Sequence, residues 1–438
     1  MKIEPIKNLA TAILGQAWIS VLVVAALIFV SSVLKGTPGK IITSDGNAYY
    51  AWLTTLSADA DLKFRNDFMN LYAPDPVDWI ENTQGDVRNV TPPGMAVVML
   101  PGFALAHVLS GISNVVGWGA PSPYDPFYKN ITAAWLLALF IFGVWAFQRT
   151  AEILTGNKFY SALASLGVAL ATNLIHYIAK EPSMGHATVF ALTAINSHLI
   201  LKQRNAALNF GAWFAAGALV GMLLIVRNSC VVLMPWWLAL GWTCTESHLQ
   251  TKIKAAVCAM LAAAIVFAIQ PLMLSLMNNS FTLNGYSTYG FSSGFEGIWK
   301  GLLSARHGLL VYHPLWIVFL FAVVAGLKIK SLRLWALAAI ASFCMALLIN
   351  GTWPFWWFGD SFGNRAYIDV LAPCALVAAA ALHERCSGFK TSTIRWAAGG
   401  VTSALIAANL LLWLGYLLRR FPSDGLHTYA EAWLWWLR

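Results

Sequence analysis

Charged residues make up only 11% of this 438-residue chain, against 58% hydrophobic ones. A soluble domain carries about 25% charged residues. Two soluble domains of this total length are therefore excluded, because the polar surface they need is not there. Cysteine is also sparse as chemistry. Cys230, Cys244, Cys258, Cys344, Cys374 and Cys386 form no C-x-x-C pair, and most lie inside apolar stretches. That excludes the common zinc and dithiol spacings and leaves helix packing. A basic stripe is missing too. The net charge of +9 comes from residues placed singly between apolar runs, which excludes a nucleic-acid partner. No internal repeat appears. The run Leu9–Leu34 is too long for a signal-peptide core and lacks a small-residue cleavage site. It is expected to be an uncleaved first span with its N-terminus in the cytoplasm.

What is present is a succession of apolar runs, several near the roughly 20 residues needed to cross a bilayer. After the first come runs near 94–110, 131–147, 159–178, 184–201, 210–226, 231–243, 255–277, 309–327, 334–349, 366–382 and 396–418. The distribution of Lys and Arg tests whether all twelve cross. If 94–110 crosses, the basic loops around Lys202 and Arg204, Lys252 and Lys254, Lys328–Arg333 and Arg385–Arg395 all fall outside. If it only dips in from the outer side, all of them become cytoplasmic, as the positive-inside rule demands. Pro92, Pro93, Pro101, Gly94 and Gly102 fit such a segment. The expected fold is an all-α polytopic membrane protein, one domain over 1–438, with about eleven transmembrane helices plus interfacial and re-entrant helices on the periplasmic side. Residues 35–127 form the first outer region, 278–308 and 351–365 two further outer loops. Residues 419–438 form an interfacial tail carrying Trp433, Trp435 and Trp436.

This topology gathers polar chemistry on one face. Asp45 follows the first span by about ten residues and opens an amphipathic stretch with Tyr49, Tyr50 and Trp52. It reads either as the cap of an interfacial helix or as a general base at headgroup level. Asp59 and Asp61 read as a solvated loop or as oxygen ligands for a divalent cation. Lys180, Glu181 and His186 flank a membrane boundary, where ionisable groups face a cavity or a partner. Arg227 ends an apolar run and can hold a phosphate by two parallel hydrogen bonds. Arg306 and His307 offer donors at another membrane entrance. In 351–365, Asp360 and Arg365 sit in a glycine-bounded polar turn that an aromatic belt alone does not explain. A reaction suited to these groups moves a sugar from a lipid phosphate to a hydroxyl. The cations Lys180, Arg227, Arg306 and Arg365, with His307, would stabilise the departing phosphate, and an aspartate would take the acceptor proton.

Ser44-Asp45-Gly46 followed by Tyr49-Tyr50, then Phe64–Asp67, Ser304–Leu309 and Ser361–Arg365, resemble the GT-C superfamily of membrane glycosyltransferases, which includes protein O-mannosyltransferases and the lipid A aminoarabinose transferase. The resemblance implies an inverting transferase at the periplasmic face of a bacterial inner membrane; the expected eleven spans place the C-terminus outside. It implies a polyprenyl-phosphate sugar as donor and Asp45 as the catalytic aspartate. Many relatives carry a second acid beside that aspartate; here Gly46 and Asn47 follow. Metal use stays open, with Asp59, Asp61, Glu181, His186, Asp360, Tyr49 and Tyr50 as substrate or metal candidates. The resemblance extends to compact transferases that place a single sugar, arabinofuranose among them, on a pilin; another envelope protein or a surface glycan are the other acceptor classes. The rival reading is a lipid-linked-sugar flippase or other transporter, a class that places its site at the midplane between repeats.

Overall fold

The computed structural model describes residues 16–34, 41–72, 80–81, 85–204, 206–245, 248–288, 290–291, 294–387, 391–422 and 428–437. The expectations for the extreme N-terminus and for parts of the first outer region and of the tail fall outside these. The helices are α1 (Ala17–Leu34), α2 (Asp45–Thr54), α3 (Arg65–Tyr72), α4 (Gly94–Val115), α5 (Pro126–Thr155), α6 (Lys158–Leu170), α7 (Leu174–Ala179), α8 (Gly185–Leu201), α9 (Phe210–Val226), α10 (Met234–Cys244), α11 (Leu249–Phe267), α12 (Ile269–Asn278), α13 (Glu296–Leu303), α14 (Leu309–Tyr312), α15 (Leu315–Gly326), α16 (Arg333–Gly351), α17 (Leu371–Cys386), α18 (Thr391–Leu417) and α19 (Tyr429–Trp433). The strands β1 (Ile80–Glu81) and β2 (Val87–Arg88) pair antiparallel and are the sole departure from an all-helical chain among the described residues.

Local chemistry sets the boundaries. Gly156 at φ 60° closes α5 through its N–H to Glu152 O at 2.8 Å. Asn157 then caps α6, its Oδ1 accepting from Phe159 N at 3.0 Å. Asn209 opens α9 the same way, accepting from Ala212 N at 3.1 Å. Small residues bring helices together where there is no water to drive association. A Cβ on Gly217 would sit 2.0 Å from Ala259 O, and one on Gly143 2.5 Å from Ala191 Cα. These contacts lock α9 to α11 and α5 to α8.

Six of the described helical segments are long and apolar enough to cross a membrane, and four shorter apolar helices join them. The most hydrophobic window of 365–386 is 89% buried, whereas those of 249–278 and 393–417 are 17% buried and expose apolar side chains. The former is the axis of the bundle; the latter two face lipid. The all-α, multi-span architecture agrees with the fold class expected from the sequence.

The segment expected to re-enter is instead one continuous 22-residue helix, α4, with Pro101 inside it. Its length and apolar composition would allow a crossing, and its two ends are tied to neighbouring elements. Gly94 lies against the backbone of Ile225 and Val226 at the end of α9. Ser110 Oγ donates to Pro121 O at 3.0 Å, and Pro123 O accepts from Tyr50 in α2 at 2.8 Å. The small outer elements are braced by Asp67 of α3. Its Oδ1 accepts from Thr54 Oγ1 at 2.5 Å and from Tyr124 at 2.9 Å. Burial pushes the Asp67 carboxyl above its ordinary range, against the pull of these bonds. In the tail, Trp435 Nε1 donates to Leu411 O at 3.2 Å, so α19 and the residues after it fold back on α18.

Candidate active site

Asp45 is the first residue of α2, and the residue before it is under strain. Ser44 has φ 51° and ψ −131°, a region of cost about 1–3 kcal/mol for a residue with a Cβ. The surroundings enforce it. Ser44 O accepts from Asn47 N at 3.0 Å and from Tyr72 at 2.9 Å, and Asn47 Nδ2 donates to Leu71 O at 3.0 Å. Asp45 does not cap the helix. Its Oδ2 accepts instead from Arg365 Nη2 at 2.9 Å, across 320 positions of sequence. The Asp45 side chain is 48% exposed and that of Arg365 10%. Arg365 therefore comes from the buried side of the pair and Asp45 from the open side.

The missing second acid has a steric cause. A Cβ on Gly46 would lie 2.0 Å from Ser183 Oγ and 2.6 Å from Ser183 Cβ. Ser183 is itself buried, so no side chain fits after Asp45. Gly46→Ala is expected to cost about 1–3 kcal/mol of stability and to reduce activity at least tenfold by displacing Asp45. Ser183→Gly should restore much of both. Thermal unfolding of the single and double variants checks this; additive losses would place the defect elsewhere.

Asp45, Tyr49, Arg227, Asp360 and Arg365 line one cavity of about 580 Å³, together with Ser44, Asn228, Ser229, Asn284 and an aromatic wall that includes Tyr286, Phe291 and Trp353. Burial pushes the Tyr49 phenol up to about 12, so it stays a neutral hydroxyl in that wall. Arg227 is held from behind. Its Nε donates to Asp369 Oδ2 at 3.1 Å, and its stem lies on Gly185, 3.3 Å from where a Cβ would be.

The other candidates are placed elsewhere. Tyr50 is buried against Phe103 and spends its hydroxyl on Pro123 O. Asp61 Oδ1 accepts from Thr55 Oγ1 at 3.1 Å and Lys63 N at 3.0 Å, while Asp59 pairs with Asn66. Both aspartates serve their own loop. Among the described residues no three of His, Cys, Asp and Glu converge where they could hold a metal ion. Arg306 stacks on Trp357, 4.0 Å from the ring centre, and His307, at φ 60°, meets Trp357 O at 2.9 Å through Nδ1. Lys180 Nζ lies 3.5 Å from Ser32 Oγ. Glu181 Oε1 lies 3.4 Å from His176 Nε2, whose Nδ1 accepts from Trp413 Nε1 at 2.9 Å. Burial alone would raise the Glu181 carboxyl; His176, then Arg365 and Lys180, outweigh it and hold it below the ordinary range. His186 Nδ1 lies 3.0 Å from Asp369 Oδ1, beside the cavity and not in its lining.

Asp369 escaped the sequence reading because it sits inside the apolar run 366–382. The signal was there: a carboxylate in an apolar span is itself an anomaly that calls for a partner. Asn284, Tyr286 and Trp353 carried no such signal, because loop residues of these types are common at membrane boundaries.

No family model matches this chain, and no curated protein sequence does. Its fold is similar to that of two solved structures of ArnT from Cupriavidus metallidurans. One, bound to undecaprenyl phosphate, matches with a TM-score of 0.50 at 13% identity, over 95% of this chain and 75% of that one. The other, in the apo state, matches with a TM-score of 0.50 at 12% identity, over 94% and 75%. At such identity the likeness is one of fold: this chain is an all-α polytopic membrane protein, as expected from its sequence, and shares the fold of these two structures.

Proposed function

We propose that the chain is a membrane glycosyltransferase that takes a sugar from a polyprenyl-phosphate donor and transfers it, with inversion, to a hydroxyl. The observation that carries this reading is the pairing of an open carboxylate, Asp45, with a buried cation, Arg365, in a cavity that Arg227 also lines. About 580 Å³ accommodates a sugar and a phosphate but not a polyprenyl chain, which would remain in the bilayer beside the lipid-facing helices. In the transfer step the acceptor oxygen attacks the anomeric carbon as its proton passes to the Asp45 carboxylate. The bond from that carbon to the phosphate oxygen breaks, and the electron pair leaves with the phosphate. Arg227 and Arg365 stabilise the charge gathered there, an effect that is large where water is excluded. Half-exposed Asp45 then returns its proton to solvent.

On this reading the cavity opens to the periplasm of a bacterial inner membrane, with the N-terminus in the cytoplasm and the C-terminus outside. The donor sugar is a single hexose or pentose, arabinofuranose being one candidate. The acceptor is a pilin, another envelope protein or a surface glycan. The fold neighbour solved with undecaprenyl phosphate supports the lipid class of the donor. The test is a transfer assay on purified protein with a panel of synthetic polyprenyl-phosphate sugars and intact-mass detection on envelope acceptors. Covalent transfer by wild type is expected. Vesicle uptake of the lipid-linked sugar with no covalent product would replace this reading by a transporter.

A further inference from the structure

Asp369 takes no part in the step just described, yet it is the most heavily engaged carboxylate near the site. It is 2% exposed. Oδ1 lies 3.0 Å from His186 Nδ1; Oδ2 accepts from Arg227 Nε at 3.1 Å and from Ser229 Oγ at 3.3 Å. Three elements thus meet on one side chain: the start of α8, the end of α9 and the turn after it. A buried carboxylate engaged this fully is expensive to desolvate and needs its partners.

The backbone explains how Asp369 is free to do this. It lies four residues after Arg365. In an α-helix that spacing puts two side chains about 40° apart, and an Arg and an Asp there would pair with each other. Residues 365–370 instead form a 3-10 helix, in which four residues rotate the side chains about 120° apart. Arg365 consequently reaches Asp45, while Asp369 reaches Arg227. One turn thereby fixes both cations of the cavity, supplying the first and holding the second.

Asp369 grips Arg227 by Nε alone. Nη1 and Nη2 have no protein partner among the described residues, and Arg227 lines the cavity. A guanidinium held at Nε presents its outer pair of nitrogens in the geometry that suits a phosphate. We propose that Asp369 is a positioning residue for the lipid phosphate: by holding Arg227 through Nε and anchoring it to Ser229 and His186, it sets the outer nitrogens of Arg227 opposite Arg365, so that one anion is received between the two. This rests on the transferase reading above.

The experiment measures binding of undecaprenyl phosphate, with undecaprenol as the neutral control, to the full chain in lipid nanodiscs. Wild type should prefer the phosphate. A wild type that binds both alike would sink the parent reading itself, which separates that failure from failure of this proposal. Given the preference, Asp369→Asn is expected to weaken phosphate binding about tenfold and leave undecaprenol unaffected, a split that a general structural defect would not give. In an Arg227→Gln background, Asp369→Asn should cause no further loss of phosphate affinity. Unchanged binding in Asp369→Asn, or an equal loss with and without Arg227, overturns the proposal. Should Asp369→Asn alone fail to stay monodisperse, Ser229→Ala and Asp369→Glu take its place. Each should weaken the phosphate about threefold, and an unchanged dissociation constant in both is equally decisive.

Discussion

Asp45→Asn is expected to lower turnover about a hundred- to ten-thousandfold, the range for loss of a general base, while binding polyprenyl phosphate at least as tightly as wild type. The two halves of this result have one cause. Asp45 Oδ2 accepts from Arg365 Nη2 at 2.9 Å. The donor phosphate competes with Asp45 for that guanidinium, so binding the donor releases the carboxylate to act as base. Asparagine keeps the shape and can still accept a hydrogen bond from Arg365, but it lacks the charge that competes with the phosphate. It also cannot take the proton of the acceptor hydroxyl. A variant that binds donor well and fails to turn over it is the signature of a group needed only in the transition state. Single-turnover transfer and equilibrium binding on the same preparation check both halves. Turnover within tenfold of wild type would remove Asp45 as the base.

Much of this arrangement was legible in the sequence, for reasons that differ by residue. Taking each Lys or Arg cluster as the mark of one side led to an expected parity of the passes. That parity placed Asp45, Arg227, Asp360 and Arg365 at one end of the bundle, where the structure brings them round a single cavity. An expected common depth did the sorting: residues from distant loops were grouped because their loops were read as lying at one membrane level. What depth cannot reveal is direction. Arg306 and His307 share that level, but their turn is stabilised by Trp357, which takes the cation on its ring and the imidazole on its carbonyl. Tyr50 adjoins Tyr49 yet bonds to Pro123 away from the cavity, as neighbouring helical residues must diverge. The α4 segment showed its prolines and glycines, which suggested a broken dip. Pro101 lies inside a continuous helix, and Gly94 and Gly102 serve close packing on α9 and α5. Asp369 was hidden because its partners lie 142 and 183 positions away, and no local pattern links them.

Arg365→Gln should produce the complementary failure: donor affinity and turnover both fall, with kcat/KM lowered about a hundred- to a thousandfold, while stability changes little. Truncating one partner of a buried, hydrogen-bonded charge pair commonly costs about 2–5 kcal/mol of binding, the origin of that estimate. Stability is spared because the group left behind, Asp45, is 48% exposed and can be hydrated. Arg365→Lys should rescue only in part. Lysine restores the charge, but a single ammonium cannot bond Asp45 or a phosphate through one nitrogen while keeping the others in the planar geometry of a guanidinium. The guanidinium here has a second nitrogen 3.7 Å from Met184 Sδ, and its buried Nε has no partner among the described residues, so its plane is set by packing as much as by charge. The informative variant is the double, Asp45→Asn with Arg365→Gln. If the two residues act on one phosphate in sequence, it should be no slower than the slower single, because once the base is gone the cation has no turnover left to support. Steady-state kinetics with donor titration gives all four corners of the cycle. Fully additive losses would mean that the Asp45–Arg365 pair is a structural contact and that the two side chains serve separate steps.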